Sequence, residues 1–187
     1  MKKHSLILAV TIMAVAGTSW GQTFALKAPI AQKPALLTTV GQSADIEMMK
    51  VLLERAAVPY KADAQAKAGD LAASGARTLV VVLGGSTKGL GAAGISSDVE
   101  IARATALLSE AKKLGLTIIG VHIGGEARRG QLSDKFIQVA IPACHYVVVV
   151  AEGDKDGFIT KLCGSTIPMD KVERMAKAVA PLQKAFK

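Results

Sequence analysis

Two rhythms of apolar residues alternate along this chain. Nearly continuous runs, "ALLTTVG" (35–41), "RTLVVVLGG" (77–85), "LTIIGVHIGG" (116–125) and "HYVVVVAEG" (145–153), read as strands covered on both faces. "VPYKA" (58–62) reads as a shorter strand. Between them the spacing turns helical. Ile46, Met49, Leu53 and Ala56 form one stripe, entered at Ser43 with Asp45 and Glu47 in the first turn. Residues 63–74 are Ala-rich and weakly helical. Ile101, Ala104, Leu108 and Ala111 form a second stripe, opened by a Ser97–Glu100 capping box and stopped at Gly115. A short helix is expected over 132–141, another after "GDKDG", and a last one from Asp170 and Glu173 through Val172, Met175, Ala176 and Val179. Strand and helix alternate throughout. That order predicts a three-layer αβα domain, Rossmann- or flavodoxin-like, around a mostly parallel sheet of about five strands.

The first 25 residues stand outside that pattern. A basic start at Lys2 and Lys3, an apolar run from Leu6 to Ala16 and a small-residue stretch read as a secretory signal peptide. The run is shorter than the ~20 residues a bilayer span requires. Cleavage is expected after Gly21 or after Ala25. Residues 26–34 read as a short unstructured leader, and 35–187 as a single α/β domain. The mature chain is expected to be periplasmic or extracellular, with no transmembrane segment.

Composition narrows the partners. Half of the 187 residues are hydrophobic but only 4% are aromatic, so the core is aliphatic. The formal charge of +8 falls to +6 without Lys2 and Lys3. That surplus favours anionic ligands or anionic envelope surfaces. The bases are scattered and have no aromatic platform, which argues against nucleic acid. The oligomeric state is left open, as is pairing between Cys144 and Cys163, which export would permit.

In such folds ligands bind at the carboxyl ends of the strands, where strand order reverses. The loops expected there, "TTVGQS" (38–43), "GGSTKGLGAAG" (84–94), "HIGGEARRG" (122–130) and "AEGDKDG" (151–157), are glycine-rich and polar. Those at the opposite rim, "LGL" and "PACH", are short and plain. Successive glycine amides can form an anion-binding concavity. The candidate ligand-binding residues are therefore Thr39, Gln42, Ser43, Gly84, Gly85, Ser86, Thr87, Lys88, Gly89, His122, Gly124, Gly125 and Arg128. Arg129 is expected to point away into solvent. "GLGAAG" matches GxGxxG in letters but starts five residues beyond its strand, the wrong place for a dinucleotide turn.

Familiar catalytic constellations are missing from the sequence. Position 88 is Lys, so no GxSxG elbow forms, and HExxH does not occur. His122 and His145 belong to opposite rims and cannot share an ion. No metal or cofactor is expected. His122 and Glu126 are the candidates for an acid/base role if the chain is an enzyme.

"PALLTTVGQSADIEM", "VVLGGSTKGLGAAGI" and "HIGGEARRGQLSDKF" together resemble the hallmark segments of an uncharacterised family of exported bacterial proteins, the domain of unknown function numbered 6305. The resemblance covers roughly residues 34–187 and implies no activity. The residues favour an exported binding protein for a small anionic metabolite. The alternatives are a hydrolase- or lyase-type enzyme using His122 or Glu126, and an envelope protein-interaction module.

Overall fold

The computed structural model describes residues 23–187. Six strands form one sheet: β1 (Ala35–Val40), β2 (Tyr60–Ala62), β3 (Thr78–Leu83), β4 (Thr117–His122), β5 (Tyr146–Val150) and β6 (Met169–Val172). Their order is β2-β1-β3-β4-β5-β6, and every pair is parallel. Seven helices accompany them: α1 (Ile46–Arg55), α2 (Leu71–Ser74), α3 (Thr87–Ala92), α4 (Ser97–Lys113), α5 (Gln131–Ala140), α6 (Phe158–Cys163) and α7 (Val179–Ala185).

The sheet separates two cores. Leu79, Val81 and Leu83 of β3 pack with Leu107 of α4, Phe136 of α5 and Ile159 of α6. Val80 and Val82 point to the other face, with Met49 and Leu53 of α1 and Leu182 of α7. That period of two, buried on both sides, is why the strands read as unbroken apolar runs. The three-layer parallel architecture is thus the expected one, with one strand more than about five. Among the described residues no helix is long and apolar enough to cross a membrane. The apolar run read as a signal peptide lies outside the described residues.

Several local expectations change. Asp170–Val172, expected to open the last helix, instead belong to the edge strand β6 (Met169–Val172), with Val147–Val150 of β5 as its partners. Four residues of mixed polarity carry little intrinsic signal, and ladder bonds to a buried neighbour decide. The helix forms only after a 3-10 turn at Met175–Ala178. Residues 63–74 keep just the 3-10 turn Ala68–Asp70 and the one-turn α2. The N-cap of α4 is Ser96, whose side chain accepts the Val99 amide, so the Ser97–Glu100 box does not form. The glycine loop after β3 contains α3, capped by Ser86.

Residues 26–34 are not an unstructured leader. They run as a strap across the amino ends of the strands. The Ala25 amide donates to Asp170 Oδ1 beside β6 (2.9 Å). Thr117 Oγ1 of β4 donates to Ile30 O, and Thr78 of β3 exchanges two bonds with Gln32. Leu26 and Ala31 are buried, and Ala31 pairs with Phe186 near the carboxyl terminus. This segment is thereby held by contacts that only the assembled fold supplies.

At the same end of the sheet, His145 Nδ1 accepts the Ile118 amide at 2.9 Å. Burial, and then Lys112, lower its pKa from the ordinary 6.5. The folded state therefore favours neutral imidazole more than the unfolded chain does. This contribution is complete above about pH 6.5 and is lost as pH falls through the lower folded value. Thermal unfolding at pH 7 and pH 5 should show a smaller drop in midpoint for His145→Asn than for the parent chain. Equal drops would show that His145 is not linked to stability.

Candidate functional site

The carboxyl rim between β1 and β3 is built on a buried ion pair. Glu100, in the first turn of α4, is fully buried. Its carboxylate accepts Arg103 Nε (2.7 Å) and Nη2 (2.7 Å), the Gly41 amide (2.9 Å) and Gln42 Nε2 (3.1 Å). Arg103 continues to Thr39 O (2.6 Å) and Ala66 O (2.5 Å). One pair thus ties α4 to the end of β1 and to the segment after β2. Gln42 is held there at φ 58°, a left-handed conformation uncommon outside glycine.

The glycines of the rim serve close backbone approach. At Gly41 (φ 103°) a Cβ would lie 2.5 Å from Gly84 O. At Gly85 it would lie 2.7 Å from Leu132 Cγ. At Gly89 it would overlap Gln42 O. The amides have internal partners as well. Gly84 donates to Val40 O, Gly85 to Ser133 Oγ, Ser86 to Gly41 O, Gly89 to Ser86 Oγ and Leu90 to Ser86 O. The amides of residues 84–86, 89 and 90 are thus bonded internally, in a capped helical turn locked against β1.

Beside that contact lies a pocket of about 650 Å³, at the point where strand order reverses. It brings together Thr39, Gln42, Ser43, Ser86, Lys88, Gly89 and Arg128 from the sequence candidates. It also contains Glu47 and Gln65, which the sequence reading omitted. Thr39 Oγ1 and Gln42 Nε2 both donate to Ala64 O, which fixes one wall. Lys88 is exposed, and among the described residues it has no carboxylate within ion-pair distance. Arg128 is half exposed, with Nε 3.3 Å from Asp45 Oδ1. Asp45 is buried, and its Oδ2 has no hydrogen-bond partner in the structure. The opposite rim is not featureless: a hollow of about 410 Å³ is lined by Ile30, Lys112, Leu116 and His145.

The remaining candidates lie elsewhere. Gly84, Gly85 and Thr87 flank the pocket without lining it. Gly124 packs against Arg128 and Asp45, where a Cβ would fall 2.5 Å from Asp45 Oδ2. Gly125 is buried and needs its positive φ of 63°. His122 is fully buried, with Nδ1 2.9 Å from Leu83 O and Nε2 3.3 Å from Gly125 O. Both ring nitrogens face backbone carbonyls. Glu126 is exposed and paired with Lys155 at 2.8 Å; that hydrogen bond lowers its pKa.

Arg129 reverses its expectation. It is nearly buried, binds Asp134 (2.7 Å), Asp156 (3.0 Å) and Gly153 O, and stands over the Phe158 ring. The hydrogen bond to Asp134 is the leading cause that raises its pKa. It joins the loops after β4 and β5, while Arg128 is the residue left facing solvent. Cys144 and Cys163 are free and buried; burial pushes their thiols up to about 12 and about 11. Thiols held so high are poor nucleophiles near neutral pH. Among the described residues no cluster of three or more His, Cys, Asp or Glu could hold a metal ion.

The profile of a family described only as a domain of unknown function (DUF6305) matches residues 32–186, and the chain belongs to that family. No curated protein and no solved structure matches it significantly.

Two glycines of α3 separate packing from flexibility. Gly89→Ala forces a Cβ into Gln42 and should destabilise the protein by about 1–3 kcal/mol. Gly91 has open space around it, so Gly91→Ala should be neutral or stabilise by up to about 1 kcal/mol. Urea unfolding of both variants checks this. Equal effects would contradict the close approach of α3 to β1.

Proposed function

We propose that the chain is an exported binding protein whose pocket between β1 and β3 takes a small anionic metabolite. The observation that carries this reading is the placement of Lys88 and Arg128 on one pocket at the reversal of strand order. Lys88 has no carboxylate partner among the described residues. The terminal nitrogens of Arg128 make no hydrogen bond to a described residue, while Asp45 holds its Nε. A carboxylate or phosphate suits a guanidinium presented in this way. The hydroxyls of Ser43 and Ser86 and the amide of Gln42 supply neutral polar groups around it. In this reading the fixed backbone shapes the pocket and the side chains hold the charge.

A catalytic role through His122 or Glu126 has less support from the geometry. His122 is enclosed by backbone, and Glu126 lies outside the pocket in an exposed ion pair. The export reading rests on the amino-terminal sequence pattern.

Thermal-shift screening of carboxylates, phosphates and sulfonates tests the proposal. A ligand at 100 times its Kd should add about 2.7 kcal/mol of apparent stability. Lys88→Ala should then weaken binding by roughly 10- to 150-fold, the loss of one charge-assisted hydrogen bond worth about 1.5–3 kcal/mol. Arg128→Ala should weaken binding similarly, and it should also lower stability because Asp45 loses its cation. Calorimetric affinities that are unchanged in both variants would rule out an anion in this pocket.

A further inference from the structure

We propose that the amino rim of the sheet is a docking face for an anionic bilayer surface. The charge of the molecule is divided between its two ends. All six strands are parallel, so the residues that precede them share one edge. Lys27 and Lys33 lie on the strap, Arg77 before β3, Lys112 at the end of α4 and Lys187 beside Ala31. Arg55 joins them at the end of α1, where Gln183 Nε2 bonds its carbonyl. Among the described residues none of these six has a carboxylate within 4.0 Å.

The acids of this end are engaged. Glu54 accepts Tyr60 Oη, Glu110 pairs with Lys113, and Asp170 accepts Tyr146 Oη and the Ala25 amide. The opposite end carries Asp63, Asp98, Glu126, Asp134, Glu152 and Asp156. There Arg103, Arg128, Arg129 and Lys155 are all paired with carboxylates. Bases commonly close helices for electrostatic reasons, which accounts for Arg55 and Lys112. Lys27, Lys33, Arg77 and Lys187 stand outside any helix and have no such explanation.

Two further observations fix the occupant. Leu114 is a large apolar side chain left 42% exposed within this basic rim. Cations around an exposed apolar side chain suit the headgroup boundary of a membrane. Ala25, near the first of the described residues, is bonded to Asp170 of β6 at this same end of the sheet. With this rim on a bilayer, the pocket at the opposite ends of the strands faces the solution.

Vesicle co-sedimentation of the full chain tests this, with phosphatidylglycerol–phosphatidylcholine vesicles against pure phosphatidylcholine. Binding through the amino-terminal apolar run with its Lys2 and Lys3 is common to the parent chain and both variants, so each variant is compared with the parent on the same vesicles. Rim docking adds a component specific to the anionic vesicles, and this should disappear as salt rises from low to about 0.5 M. Each base near such a surface contributes about fivefold in affinity, so Lys33→Glu/Arg77→Glu/Lys187→Glu should lower that component at least 100-fold. The control Lys135→Glu/Lys161→Glu/Lys177→Glu changes net charge equally but lies away from the rim, and it should lose less than about fivefold. Circular dichroism establishes that both variants are folded, and the salt titration of the parent chain needs no variant. Equal binding to both vesicle types, equal losses in the two variants, or salt-sensitive binding to DNA without preference for anionic vesicles would overturn the proposal.

Discussion

A carboxylate with no exposure to water sets the shape of the carboxyl rim. A buried carboxylate requires partners, and Glu100 has four donor contacts: two from Arg103, one from the Gly41 amide and one from Gln42. Arg103 in turn satisfies carbonyls at Thr39 and Ala66. Removing one member of such a pair typically costs about 3–5 kcal/mol, because the other is left buried and charged. Chain segments far apart in sequence therefore share a single position. The left-handed Gln42, the wall at Ala64 and the seat of α3 all follow from it.

Glycine has its place in the same scheme. The run after β3 invites a reading as bare backbone offered to a ligand. Five of its amides, those of residues 84–86, 89 and 90, bond internally, and Gly89 admits a carbonyl where any side chain would collide. What the pocket offers a ligand is a set of side chains on a rigid frame: Lys88 and Arg128 at one edge, hydroxyls and an amide within. The molecule has two chemically different ends. One is a mixed, ion-paired rim around a pocket, and the other is a basic rim closed by the strap.

Much of this was legible in the sequence. Unbroken apolar runs identified four strands and the parallel sheet, because burial on both faces removes polar alternation. Loop polarity singled out the carboxyl rim, and seven of the candidate residues line one pocket there. What was missed had long-range causes. Strand β6 is short and polar, and it forms only by pairing with β5. The strap is held by Asp170, Thr117 and Thr78, residues 46 or more positions away. Arg128 and Arg129 are adjacent and alike, and only the positions of Asp134 and Asp156 decide which is buried. One signal was available: Glu100, Ala104, Leu107 and Ala111 share the inner face of α4, and a charge on a buried stripe requires a partner.

The most direct measurement of this account is native-state amide exchange at Gly41. That N–H lies just past the end of β1 and donates to the Glu100 carboxylate rather than to a neighbouring strand. If the buried pair holds the rim, Gly41 should exchange as slowly as Val81 in the centre of the sheet, through global unfolding alone. Exchange at Gly41 as fast as that of an exposed loop amide, with Val81 still protected, would show that the rim opens independently and that the Glu100–Arg103 pair does not hold it.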